Sequence, residues 1–148
     1  MRTRLALKAF QVPLFYMALI FALGACSPKP EPREEIAFQI MVPQMANNNT
    51  PFYFVASQAP VAQFYMNDYQ KVADMTFGQE EKELTKAVLI PGRIQTVRVP
   101  IKDPKQPIAA YFLFTNPSEE WKIIFDNPDY RHYKILLGQS EIRQAHGY

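Results

Sequence analysis

Between Glu35 and Gln144 the apolar residues fall in short runs, each cut off by Pro, Asn or Gly, and no window sustains a long amphipathic helix. That punctuation commits the chain to strands. Ile36, Phe38, Ile40 and Val42 alternate with Ala37, Gln39 and Met41, the two-residue period of a half-buried strand. Phe52 to Ser57 is a second strand candidate, and Val61 to Tyr65 is a third short apolar piece before the polar stretch Asn67 to Lys71. Leu84 to Ile90 reaches Pro91-Gly92, and Ile94 to Ile101 departs from it. Pro followed by Gly suits a type II turn, because Gly accepts positive φ without steric cost. Asp103 to Pro107 is another turn. Ile108 to Phe114, nearly all apolar, reads as a central strand covered on both faces. Asn116 to Glu120 turns into Trp121 to Phe125, Asn127-Pro128-Asp129 turns into Tyr133 to Leu137, and Glu141 to Gln144 closes the series. Seven or eight short strands predict an all-β fold, a small two-sheet β-sandwich. Met66, Tyr69, Val72 and Met75 recur at three-residue spacing, which places a short helical insertion within residues 66 to 83.

The N-terminus obeys different rules. Arg2, Arg4 and Lys8 precede an apolar run from Val12 to Leu23, the n-region and h-region of a signal peptide. The run is shorter than the roughly 20 apolar residues of a spanning helix. Leu23-Gly24-Ala25-Cys26 resembles the bacterial lipobox: a branched residue, two small residues that fit a narrow peptidase cleft, and a cysteine whose thiol is acylated. The expectation is cleavage after residue 25, with diacylglycerol and acyl lipid on Cys26 and no other cofactor. Cys26 is the only cysteine, and acylation removes a thiol that would otherwise be open to mispairing in an oxidising compartment. An ordinary secretory signal with a chance cysteine is the alternative. Ser27 follows; an Asp there would resemble an inner-membrane retention signal, so Ser27 favours sorting to the outer membrane, with the domain facing the periplasm. Ser27 to Glu34 holds three prolines and four charges, an extended tether of roughly 25 Å. The predicted organisation is signal peptide 1–25, lipidated Cys and tether 26–34, and sandwich 35–148.

Removal of the three signal-peptide cations turns a formal charge of +2 into 13 basic against 14 acidic side chains. No nucleic-acid footprint survives. Equipment for catalysis is thin. The two histidines, His132 and His146, lie near the C-terminus, the latter in what reads as a frayed tail, and no His-x-x-x-His, Cys-x-x-Cys or Gly-x-Ser-x-Gly spacing occurs. Asp126-Asn127-Pro128-Asp129 with Arg131 and His132 is the densest polar cluster; without the glycine and distal glutamate of a calcium loop it reads as a turn. Glu119 and Glu120 are adjacent, so on a strand they face opposite ways. Trp121 reads as core, sharing a face with Ile123 and Phe125, in a sandwich filled by Phe52, Phe54, Tyr111, Phe112 and Phe114. The expectation is a protein that is not an enzyme and holds no metal. For partner contact the loop Gln44, Met45, Ala46, Asn47, Asn48, Asn49 and Thr50 stands out. Its asparagines favour irregular backbone and offer donors and acceptors, and Met45 adds an adaptable apolar contact. A plain connector is the alternative.

The order of these parts resembles a known family. Ala46-Asn47-Asn48-Asn49-Thr50-Pro51 leads into Phe52 to Ser57, then Phe64 and Asp68-Tyr69, then Leu89-Ile90-Pro91-Gly92, then Ile108-Ala109-Ala110-Tyr111-Phe112 and Trp121-Lys122. Behind a lipobox, over about residues 35 to 144, this is similar to the outer-membrane lipoproteins of type VI secretion systems, the TssJ/SciN/VasD family. The chain departs from the family in having Trp-Lys for a common Trp-Arg, Ala109-Ala110 where a Gly is frequent, and a less regular, less Leu-rich insertion. Those departures fit a remote member, or a lipoprotein of a related machine. The resemblance implies a transthyretin-like sandwich that binds the periplasmic part of the inner-membrane protein TssM, with TssL beside it, largely through the loop Gln44 to Thr50. A lipoprotein that binds a small ligand or cell-wall polymer is the rival, and a concave aromatic pocket in place of a filled core would distinguish it.

Overall fold

A computed structural model describes residues 34–78, 83–126 and 128–148. Cys26, Ser27 and the signal peptide lie outside them, as does the tether up to Arg33. Among the described residues, eight strands form two four-stranded sheets. The first sheet has the order β4-β1-β7-β8, from β1 (Glu34–Met41), β4 (Ile94–Ile101), β7 (His132–Leu137) and β8 (Ile142–Gly147). The second has the order β3-β2-β5-β6, from β2 (Phe52–Gln58), β3 (Thr85–Leu89), β5 (Ile108–Leu113) and β6 (Lys122–Phe125). All pairings are antiparallel except β1 with β7, where Phe38 lies opposite Tyr133 and Ile40 opposite Ile135.

Alternation explains the sandwich. Ile36, Phe38 and Ile40 of β1 and Val97, Val99 and Ile101 of β4 are buried, and the residues between them are more exposed. Phe38 meets Phe54 of the other sheet at 6.0 Å, Phe125 at 5.2 Å and Tyr133 at 5.5 Å between ring centroids. Phe52 stacks on Phe114 at 4.6 Å, and Phe54 lies 5.2 Å from Phe112. All six residues of β5 are buried, as expected of a strand flanked by β2 and β6 and covered on both faces.

The second cover is helical. Val61 to Tyr65 is not a strand but lies in α1 (Val61–Met66), followed by α2 (Tyr69–Phe77). The reason is the outer face of the second sheet: Val55 and Tyr111 point away from the sandwich interior and need apolar cover, which Phe64 gives by packing 6.0 Å from the Tyr111 ring. Asp68 caps α2, accepting from the Lys71 N–H at 2.7 Å, and splits the spacing read across Met66 to Met75. Tyr69, Val72 and Met75 turn inward on α2, whereas Met66 is exposed. Trp121 is buried but on this outer side, 5.1 Å from Tyr69 and 5.8 Å from Tyr111. It does not share the face of Phe125, because regular β structure begins only at Lys122. Glu119 and Glu120 are exposed in the connection before β6 and belong to no strand. His146 is not in a frayed tail: β8 extends to Gly147 and pairs His146 with Lys134.

The connections divide cleanly. The β1–β2, β3–β4, β5–β6 and β7–β8 connections lie at one end, here the distal end, and the chain enters β1 at Glu34 at the other. Eight residues of β1 span about 27 Å between the two ends. At the open edge of β3 the Gln95 carboxamide accepts from the Ile90 N–H at 2.6 Å and donates to the Val88 carbonyl at 2.9 Å. These two groups flank Leu89, where the peptide groups of a further strand would bond.

Candidate partner-binding surface

The loop after β1 is built from its backbone outward. Asn47, Asn48 and Asn49 all have positive φ, 49°, 54° and 59°. Asparagine is the side-chain-bearing residue that best tolerates this left-handed region, so the run of three records a backbone requirement. The loop turns tightly in two successive turns that meet at the left-handed Asn47 and Asn48, the Ala46 N–H donating to the Pro43 carbonyl and the Thr50 N–H to the Asn47 carbonyl.

Of the seven residues singled out, five are exposed and two are not. Ala46 is buried and Asn47 is only 4% exposed. Every polar group of Asn47 is engaged. Its N–H donates to the Gln139 carbonyl at 2.7 Å and its carbonyl accepts from the Thr50 N–H at 3.1 Å. Its Nδ2 donates to the Thr50 carbonyl at 3.0 Å, and its Oδ1 accepts from the Thr115 N–H at 2.6 Å. Three of the four distal connections are thereby joined at one residue, its side chain reaching Thr115 and its backbone reaching Gln139. Gln139 reinforces the link by donating from Nε2 to Asn48 Oδ1 at 3.2 Å.

The fourth connection docks through Val42 and Gly92. The Gly92 N–H donates to the Val42 carbonyl and the Val42 N–H to the Arg93 carbonyl, both at 3.0 Å. Gly92 has φ 77°, as the Pro-Gly turn requires, and a Cβ there would stand against the Gln44 carboxamide, which itself donates to Asn49 Oδ1 at 3.3 Å. The outward-facing set is therefore Gln44, Met45, Asn48, Asn49 and Thr50, with Met45 62% exposed. Ile90 and Ile94 of the Pro-Gly turn add exposed apolar surface at the same end. Gln139, Thr115 and Ile94 are members that sequence reasoning missed. A Gly-Gln-Ser-Glu turn at 138–141 carries no signal of pairing with an asparagine 92 positions earlier.

Under the helical cover a second polar group of residues is structural. Lys122 Nζ donates to the Phe64 carbonyl at 3.0 Å and the Asn67 carbonyl at 2.7 Å and lies 4.8 Å from the Phe64 ring centroid. Burial holds its ammonium below the ordinary lysine range, with Asp68 opposing the shift. Asn67 Nδ2 donates to the Tyr111 hydroxyl at 3.1 Å, and burial pushes that phenol up despite this bond. The cluster fastens α1 to β5 and β6.

Among the described residues no group of three or more His, Cys, Asp or Glu converges as for a metal ion. No described helix is long and apolar enough to cross a membrane. Arg131 of the Asp126–His132 turn is paired with Glu34 at 3.1 Å, and Asn127 lies outside the described residues. A cleft of about 140 Å³ at the entry end is bordered by Glu34, Ile101, Pro104 and Tyr130, well under the roughly 300 Å³ at which small-molecule sites begin.

Comparison with solved structures finds the same fold in type VI secretion lipoproteins. The chain is similar to TssJ1 from Pseudomonas aeruginosa, with 18% identity and a TM-score of 0.60 over 79% of this chain and 98% of that one. It is also similar to Serratia marcescens Lip, a membrane-bound component of the type VI secretion system, with 16% identity and a TM-score of 0.56 over 76% and 96%. A third match, at 16% identity and a TM-score of 0.60 over 77% and 98%, is a chain of a structure described as the TssM C-terminal domain (869–1107) from EAEC. No curated protein matches by sequence. The family model described as IglE, N-terminal domain, matches residues 53–137, from the first outward residue of β2 to the end of β7. More than half of the chain lies in that match, and the chain belongs to the IglE N-terminal-domain family.

Proposed function

We propose that this protein is a non-enzymatic lipoprotein of a type VI-like secretion membrane complex. Lipid on Cys26 holds it to the inner leaflet of the outer membrane, and its distal loops capture the periplasmic domain of a TssM-like inner-membrane protein. A TssL-containing complex lies beyond that partner. One observation carries the reading: the chain enters the sandwich at Glu34, eight residues after Cys26, and the Gln44–Thr50 loop lies at the opposite end, about 27 Å along β1. A body tethered at one end and furnished with a built loop at the other is suited to bridging. The likeness to TssJ1 and Lip supports the machine, and the EAEC TssM structure supports the class of partner. The rival reading, capture of a small ligand or cell-wall polymer, gains nothing from a core filled by Phe38, Phe54, Phe112 and Phe125.

Each buried methylene of an acyl chain contributes about 0.8 kcal/mol, so two or three chains hold the protein to its membrane effectively permanently. Replacement Cys26→Ser is therefore expected to shift the protein from the outer-membrane fraction to the soluble periplasm and to abolish secretion. Persistence of the variant in the outer-membrane fraction would refute the anchor.

A further inference from the structure

We infer that Asn47 is the positioning residue of the distal surface, setting the conformation in which Met45, Asn48 and Asn49 meet the partner without itself touching it. The inference rests on the reading of the Gln44–Thr50 loop as the partner-binding loop. Three observations carry it. Asn47 is 4% exposed, so a docked partner has no access to its side chain. It holds φ 49°, a left-handed conformation that is strained for β-carbon-bearing residues other than Asn or Asp. Its bonds run to three connections: Nδ2 to the Thr50 carbonyl, Oδ1 from the Thr115 N–H, and N–H to the Gln139 carbonyl. Neighbouring Asn48 and Asn49 share the left-handed backbone, but their side chains bond only at the exposed surface, to Gln139 and Gln44.

The division of labour follows. Asn48 and Asn49 face outward because Asn47 faces inward, and a loop held from three sides forfeits little conformational entropy when a partner closes on it. Without the Asn47 side chain, the Thr115 N–H and Thr50 carbonyl turn to solvent and the loop samples other arrangements. The loss then falls on partner affinity more than on the fold, since the sandwich core of Phe38, Phe54 and Phe112 does not depend on this loop.

The test uses the full-length lipoprotein in detergent and, as probe, the purified periplasmic domain of a TssM-type inner-membrane protein from the same organism. Asn47→Gly keeps the left-handed backbone and removes both side-chain bonds. Asn47→Asp is the second variant, which keeps the acceptor for Thr115 and sets a carboxylate oxygen in place of the donor, against the Thr50 carbonyl. Met45→Ala and Asn48→Ala report on direct contact. Thermal melting and hydrogen exchange of β2 and β5 verify the fold, and exchange at residues 48–50 reads loop order. Expected are faster exchange at 48–50, unchanged protection of β5, and capture weakened roughly tenfold or more for Asn47→Gly, with Asn47→Asp weakened as well. Wild-type capture by a folded Asn47→Gly protein, with Met45→Ala or Asn48→Ala weakened, overturns the positioning role and leaves the loop as contact. Capture unchanged in every variant overturns the loop reading and this inference with it.

Discussion

Glu141 illustrates how a partly buried side chain at the distal end ties stability to pH. It accepts from its neighbour Ser140 N–H at 3.0 Å and from Arg143 Nε at 3.1 Å, and these bonds hold its carboxyl below its ordinary value of 4.5, with slight burial opposing. A carboxylate with a depressed folded-state pKa contributes stability that is present above its unfolded pKa and lost as pH falls through the folded value. Glu141→Gln is accordingly expected to flatten part of the acid-side decline in stability. Urea midpoints measured for both proteins from about pH 6 to about pH 3 check this, with convergence expected at the acid end. The residue scale is also where the sequence was least informative. Three asparagines announce irregular backbone, but nothing local tells Asn47 from Asn48, because the distinguishing bond runs to Thr115, 68 positions away. Trp121 was legible as buried and not as to side: alternation was carried one residue past the point where β6 starts, and the ring went to the helical cover.

Among the elements, the strands were readable where one face meets the core and the other meets solvent, as in β1 and β4, or where both faces are covered, as in β5. The insertion was readable only in part. Five apolar-rich residues from Val61 to Tyr65 fit a strand or a turn and a half of helix equally well, and the deciding fact is tertiary: Tyr111 and Val55 must be covered from outside the sandwich. Asp68, by contrast, is a local start signal, with its carboxylate on the third N–H of α2. Asp68→Ala removes that cap and the charge that supports Lys122, and is expected to cost about 1 kcal/mol of stability, read from denaturant unfolding. Unchanged partner capture in the same variant is expected, because the bond Asp68 makes is to Lys71 within α2 and not to a distal connection.

At the scale of the whole molecule, the two-ended plan matters more than any single contact. The turns at the entry end and the loops at the distal end are separated by the full length of a rigid double sheet, so a pull applied at one end is transmitted along hydrogen-bonded strands to the other. The parallel pairing of β1 with β7 places the entering strand in the interior of its sheet, between β4 and β7, where it cannot be peeled from an edge. The edges remain the exposed risk. Molecules confined to a membrane surface meet one another far more often than the same number in free solution, and an unpaired strand invites sheet-to-sheet joining. Gln95→Ala is expected to leave the monomer folded but to raise its self-association, measured by sedimentation velocity across a concentration series. A single amide that stands in for a missing strand would then be what keeps copies of the protein apart and, on the proposed membrane anchoring, leaves each free to find a partner of a different kind.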